Sequence, residues 1–398
     1  MSGFPTISGG LSGLSPLPSS QVSIQYNGSD VSSIIQPNLL KLVYHDRISY
    51  QSDNLEFTIA DPNGIFRNEF SFQNGSGVQF GLGSQNFGYI GESLFNDYGA
   101  FAITRVSPSQ SRSGSTVDIR CSSVPIKSSF RLEMKFNRWQ EIRLKGMATQ
   151  IASDNQMQLS YQASTDPAIA TIEQTDESDF VFLSRVAQTV GMSVKIKNNS
   201  IIVFSRSEYE AKPPKGIITF PPTPGLLLSN ILNPGTAAGY GVNGQGGMIS
   251  WSASDNLDGI FKDCRITIRS IDSGKTTIGK FVDQNNPPVG SSLNLRKNVY
   301  PPNYPTPSSG FYDGADQMTT SADQKAQYEL RLRAEKRHQL RIVLPFCLKI
   351  ESGDVWTMQG IGKDFDGLPW IGIETEQTKS GDETGSQTGV TFERCLGW

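Results

Sequence analysis

General acid–base and nucleophilic chemistry need a histidine, a cysteine or paired carboxylates set beside a partner group. The chain offers two histidines, His45 and His338, and four cysteines, Cys121, Cys264, Cys347 and Cys395. The cysteines lie far apart with no CxxC pair, so neither a zinc site nor a disulfide scaffold is expected. They read as reduced, mostly buried thiols in a chain that folds in a reducing compartment. Tyr44-His45-Asp46 sets a carboxylate next to an imidazole, which can orient a base, but no GxSxG elbow is present to use it. His45 is therefore expected as an exposed or pairing side chain at a strand end. His338 is expected at the end of a charged helix, where a cation suits the negative pole of the dipole.

Glu177 and Asp179 raise sugar hydrolysis, in which two carboxylates stand ~5–10 Å apart in three dimensions. A helix start explains both better, because acidic side chains suit the positive end of the dipole. Gly274-Lys275-Thr276 matches the end of a phosphate-binding loop, but Arg269 stands where that loop requires its first glycine. Asp364-Phe365-Asp366-Gly367 matches a fragment of a calcium loop without the further acidic ligands, and reads as a solvated turn. Arg331, Arg333, Lys336, Arg337, His338 and Arg341 are interleaved with Glu329 and Glu335 and lack aromatic partners for base stacking, so a solvated helix face is expected. On these residues no catalytic group, cofactor or metal site is assigned.

The elements that would carry these residues are mostly strands. Residues 1–20, rich in Gly, Ser and Pro, read as a flexible arm with neither the charge nor the apolar run of a secretory signal. Val22, Ile24 and Tyr26 alternate before the turn Asn27-Gly28, and Leu55, Phe57 and Ile59 before Asp61-Pro62-Asn63-Gly64. The pattern continues at 78–80, 101–103 and 117–120, giving a first antiparallel β-barrel domain over 21–138.

The period then lengthens. Leu144, Met147, Ala148, Ile151 and Ala152 line one face of a short helix, and Phe180, Leu183, Val186, Ala187 and Val190 line a second at 177–190, stopped by Gly191. A hairpin over 194–204 completes a small α/β domain, 139–210. A Pro/Gly-rich linker, 211–248, leads to a second β-barrel domain, 249–398, with a proline-rich irregular loop at 285–309. Ser321 and Gln324 form a capping box for a charged helix, 321–338, whose stripe Ala322, Ala326, Leu330 and Ala334 permits close approach of another backbone. The expected class is mainly β with an α/β insert: two tube-like barrels and a helix-and-hairpin domain.

Composition agrees. The length of 398 residues allows two or three domains at ~100–200 residues each. With 39 glycines, 22 prolines and 18% charged residues, the chain is turn-rich and polar without charge. A net charge of -3 removes the basic footprint of a nucleic-acid or membrane-surface protein. The most apolar run, 225–232, is far short of the ~18–20 residues that span a bilayer.

Three stretches carry a family resemblance. Gln174-Thr175-Asp176-Glu177-Ser178-Asp179-Phe180-Val181-Phe182-Leu183-Ser184-Arg185-Val186-Ala187, followed by Gly191 and the hairpin ending at Phe204, is the strongest. Trp139 with the helix Leu144 to Ala152 is the second, and Tyr44-His45-Asp46 with Ser52 to Asp61 the third. Together they resemble the late control protein D family, the baseplate hub proteins of contractile phage tails, related to the hub part of type VI secretion spike proteins. The proline-rich 285–309 segment and the arm depart from it. The resemblance implies a homotrimeric ring in the virion tail baseplate, assembled in the cytoplasm of a bacterial host. It would adapt a six-fold tail tube protein to a three-fold central spike protein, touch other baseplate proteins, and surround a channel for tape measure protein and DNA in transit, with no membrane, cofactor or catalysis. The alternatives are a secreted β-rich adhesin or carbohydrate-binding module, and a tail-associated cell-wall hydrolase, which would need a polar cleft with perturbed carboxylates.

Overall fold

The computed structural model describes residues 17–49, 52–68, 70–112, 114–123, 129–220, 241–269, 276–284, 294–299, 315–380 and 385–398. Alternation sets the first β unit. Its strands are β1 (Ser19–Tyr26), β2 (Ser29–Asp30), β3 (Leu39–Arg47), β4 (Asn54–Ala60), β5 (Gly77–Gln85), β6 (Ser93–Ser111) and β7 (Gly114–Ser122), with short helices α1 (Ser32–Ile35) and α2 (Ile65–Asn68). The ladder runs β3-β4-β7-β6-β5-β1-β2. Val22, Ile24, Leu42, Tyr44, Leu55, Phe57, Ile59, Val117 and Ile119 all face one core, as a period of two on half-buried strands requires. The Asn27-Gly28 turn has φ of 47° and 84°, the pair of positive values that a tight hairpin between right-twisted strands demands.

The α/β unit follows: α3 (Ser129–Leu132), β8 (Lys135–Arg143), α4 (Leu144–Asp154), β9 (Gln158–Tyr161), β10 (Ala168–Glu177), α5 (Asp179–Thr189), β11 (Met192–Lys197), β12 (Ser200–Ser205) and α6 (Arg206–Glu210). Both sequence-predicted helices are present, and α4 buries Leu144, Met147, Ala148, Ile151 and Ala152. On α5, Phe182 joins Leu183, Val186 and Ala187 in the core, while Phe180 and Val190 are only partly covered. The predicted hairpin is β11–β12, and β9 adds to it in parallel. A two-stranded ribbon, β8–β10, had no clear sequence signal.

The second β unit comprises β13 (Ile217–Thr219), β14 (Gly241–Val242), β15 (Gln245–Gly246), β16 (Ser250–Asp255), β17 (Asp263–Arg269), β18 (Thr276–Val282), β19 (Asn294–Val299), α7 (Ala315–Ala334), β20 (His338–Pro345), β21 (Val355–Gln359), β22 (Pro369–Ser380) and β23 (Gln387–Arg394). Strand β22 pairs with β21 and β23 and also with β3 of the first unit, so the two β units share one 15-stranded sheet. Strands β17, β18 and β19 form a separate sheet under α7, joined through a core of Cys264, Ile266, Ala326 and Leu330. That excursion is closed at its base by Asp255↔His338 in the β16–β20 pair. The alanine stripe packs as expected: a Cβ on Gly279 of β18 would lie 2.0 Å from the Ala322 carbonyl oxygen.

Four expectations are corrected. Ser19 and Ser20 of the expected arm already pair with β5, while 1–16 lie outside the described residues. The expected linker 211–248 supplies β13, β14 and β15. Within the expected irregular loop 285–309, residues 294–299 form β19, parallel to β17, and the rest lies outside the described residues. The charged helix runs Ala315–Ala334, and His338 opens β20. Short strands flanked by Gly and Pro carry too little pattern to be read locally, and the ladder of an adjacent strand supplies the hydrogen bonds that fix them. No helix among the described residues is long and apolar enough to cross a membrane.

Candidate functional site

Charged and polar residues of all three units meet at one joint. Strand β22 lays its second half along β3, in the register Glu374↔Arg47, Thr375↔Asp46 and Glu376↔His45. Successive side chains on a strand point to opposite faces, so the neighbours in Tyr44-His45-Asp46 serve different surfaces. His45 Nδ1 lies 3.1 Å from Glu374 Oε1, and the same oxygen accepts from Arg47 Nε at 3.0 Å. These hydrogen bonds, led by that from His45, hold the Glu374 carboxyl below its usual range. Asp46 points the other way and never orients the imidazole.

Asp46 is buried and accepts from Lys195 Nζ on β11 and from Ser352 N at 2.9 Å. Lys195 also donates to Ser352 Oγ at 2.9 Å and stands 3.8 Å from Asp53 Oδ1. One ammonium of the α/β unit thus ties both β units. Burial opposes the charge on Asp46, and the Lys195 ammonium overcomes it, holding that carboxyl below the usual range. Burial pushes Asp53 up to about 7 against the pull of Lys195, with the Asp46 charge adding to the rise. The joint therefore keeps one carboxylate ionised opposite Lys195 and sets a proton on the other near neutrality.

A second network is centred on α6. Arg206 pairs with Glu210 at 3.1 Å, with Glu335 in the turn after α7 at 3.2 Å and with Glu393 of β23. Arg331 of α7 reaches Glu210 at 2.6 Å and Glu335 at 3.0 Å, and donates to the Trp398 carbonyl. Helix α7 is also seated on the α/β unit: Lys325 Nζ donates to the Thr189 carbonyl at 3.1 Å, and a Cβ on Gly191 would lie 2.2 Å from the Tyr328 ring. An open cleft of about 710 Å³ runs between these networks, lined by Arg47, Arg206, Arg333, Glu335, Glu374 and Glu393. Most of those charges already pair with one another, which fits a joint that locks units together.

The remaining sequence candidates are scattered and structural. Glu177 pairs with Arg185 Nε at 3.1 Å. Asp179, buried, accepts from Lys135 Nζ at 2.6 Å, Asn155 Nδ2 at 2.8 Å and Gln174 Nε2 at 3.0 Å. Asp366 Oδ1 accepts from the amides of Gly360 at 3.0 Å and Ile361 at 2.9 Å, which closes its turn. Lys275 and Gly274 lie outside the described residues. Two expectations change: His338 is buried in β20, where burial pushes its imidazole down to about 4, so it is no helix-end cation. The basic run is no solvated face throughout, since Arg331 is buried, Arg337 pairs with Asp255 and Arg341 with Glu376. Sequence reading missed Asp53, Lys195, Arg206, Glu210 and Glu393; the one local spacing among them is the i,i+4 pair Arg206–Glu210, and their other contacts join distant parts of the chain. Among the described residues no group of three His, Cys, Asp or Glu side chains is placed to hold a metal.

No protein-family model and no curated protein matches the sequence. Solved structures match from end to end. A tail protein from Neisseria meningitidis MC58 superposes with a TM-score of 0.64 at 12% identity, over 94% of this chain and 96% of that one. The 43 kDa tail protein of prophage MuSo2 from Shewanella oneidensis gives 0.62 at 10%, over 95% and 99%. The chain has the fold of phage tail proteins. The same tail-protein fold matches a chain of the lidded Francisella PdpA-VgrG complex, with a TM-score of 0.53 at 9% identity, over 96% of this chain and 53% of that one. The match spans both β units and the α/β unit.

Proposed function

We propose that the chain is a structural hub of a contractile phage tail baseplate, three copies of which form a ring. The observation that carries this is the end-to-end likeness to two phage tail proteins, to which the continuous sheet of two β units adds support. A six-fold tube and a three-fold spike cannot share one identical contact around an axis. Three chains that each present two β units offer six such units to the tube while keeping three-fold contacts to the spike. In this reading the first β unit, the α/β unit that opens at α3 and the second β unit that opens at β13 are the three parts of each subunit, and the ring surrounds a channel for tape measure protein and DNA. The partners are a second and third copy, the tube, the spike and other baseplate proteins, and the chain does no catalysis. The joint then has a mechanical purpose: buried ion pairs fix the angle between units where a ring must close. A particle reconstruction tests this. Three copies with the two β units alternating around the axis are expected; six copies, or β units that do not superimpose, would defeat it.

A further inference from the structure

The small sheet under α7 carries a charge pattern of which its own fold uses only one member. In β17–β18 Arg265 stands opposite Lys280, and in β17–β19 it stands beside Arg296. Directly paired residues share a face, so three cations form one row across the three strands. The face is the outer one: Cys264, Ile266 and Gly279 turn toward α7, while Arg265, Lys280 and Arg296 are exposed. Adjacent strands lie ~4.8 Å apart, which gathers the three cations within about 10 Å. Asp263, on the same face, pairs with Arg296 at 2.8 Å. Among the described residues no carboxylate pairs with Arg265 or Lys280. Like charges set directly opposite each other weaken a sheet, so this row works against the fold that carries it.

The chemistry beside the row narrows the partner. Ile278 and Val282 flank Lys280 on the same face of β18 and are 38% and 52% exposed. The stripe is apolar, cationic, apolar. A nucleic-acid backbone supplies phosphates for the cations but nothing for the two apolar side chains, and the described outer face has no aromatic ring on which a base would stack. An acidic polypeptide segment whose carboxylates alternate with apolar side chains matches both features, because cation rows and apolar neighbours are then satisfied together. We propose that the outer face of β17–β18–β19 docks such a segment of a partner protein. The proposal stands on this face alone and is independent of the tail-hub reading.

The test uses the full chain and a fluorescent octapeptide alternating glutamate and leucine, with its glutamine counterpart and a short DNA duplex as competing probes. The glutamate peptide is expected to bind, to weaken as salt is raised, and to lose on the order of tenfold or more in affinity in the double variant Arg265→Ser/Lys280→Ser. Equal binding by the variant, equal binding of the glutamine peptide, tighter binding of DNA, or no binding of the glutamate peptide each overturns it. Thermal melting of the same variant is the second measurement. A Tm equal to or above that of the parent chain is expected once the like charges are gone, whereas a lower Tm would show that the row is structural and refute the docking role.

Discussion

Lys195, on a strand of the α/β unit, forms a buried ion pair with Asp46, on the strand where the two β units meet. The pair is held from a third side by Ser352, whose amide donates to Asp46 and whose hydroxyl accepts from Lys195. Removing one partner of a buried pair leaves the other charge uncompensated, at a cost of about 3–5 kcal/mol. Asp46→Asn is therefore expected to destabilise the chain by that amount. Asp53→Asn is expected to be far milder, because Asp53 stands 3.8 Å from Lys195 and burial favours its neutral form. Urea unfolding of both variants checks the contrast, and similar losses would contradict it.

The same joint predicts a pH dependence. Asp53 titrates at about 7 in the folded chain and at ~3.9 when unfolded. Between those values the folded state holds more protons, so this group's contribution to stability falls as pH rises from about 4 to about 7 and is flat beyond. His338 works oppositely. Its folded value of about 4 lies below the unfolded ~6.5, so its contribution falls as pH drops through that window. Comparing Asp53→Asn with the parent chain isolates the first effect. The variant's relative stability should climb by at most about 1.4 kcal/mol per pH unit between pH ~4 and ~7. A difference independent of pH would contradict the proton on Asp53.

Gly279 sets how closely α7 lies on β18. The Cβ of Gly279→Ala would meet the Ala322 carbonyl oxygen at 2.0 Å, and that oxygen belongs to helix backbone that cannot swing away. Helix α7 must then lift from the sheet, which strains Lys325 against Thr189 and Arg331 against Glu210. Gly279→Ala is expected to raise amide exchange in α7 and in β17–β18 while β3 and β4 keep their protection. Unchanged exchange in α7 would show that the close approach is not needed.

Leu183 is 0% exposed, in the core of α5 against the β11–β12 hairpin. Leu183→Ala is expected to cost roughly 2–5 kcal/mol, set by how far the cavity collapses. Chemical denaturation measures the loss. A cost below ~1 kcal/mol would mean that α5 contributes little to holding the unit.

Sequence alone determined the local elements with a strong period. Alternation at Leu55, Phe57 and Ile59 placed β4, the 3.6-residue stripe through Leu183 and Val186 placed α5, and Asn27-Gly28 placed a turn, because each signal lies within a few neighbouring residues. The strongest resemblance rested on one continuous stretch, 174–187. The tertiary structure decided the rest. Strands β13 and β19 exist because β21 and β17 offer them a ladder, and Lys195 meets Asp46 across 149 positions of chain. Arg206 of α6 gathers Glu335, just past the end of α7, and Glu393 of β23. Contacts of that range leave no spacing in the sequence, since their geometry follows from how whole units pack, and packing is set by the summed burial of many side chains rather than by any local pattern.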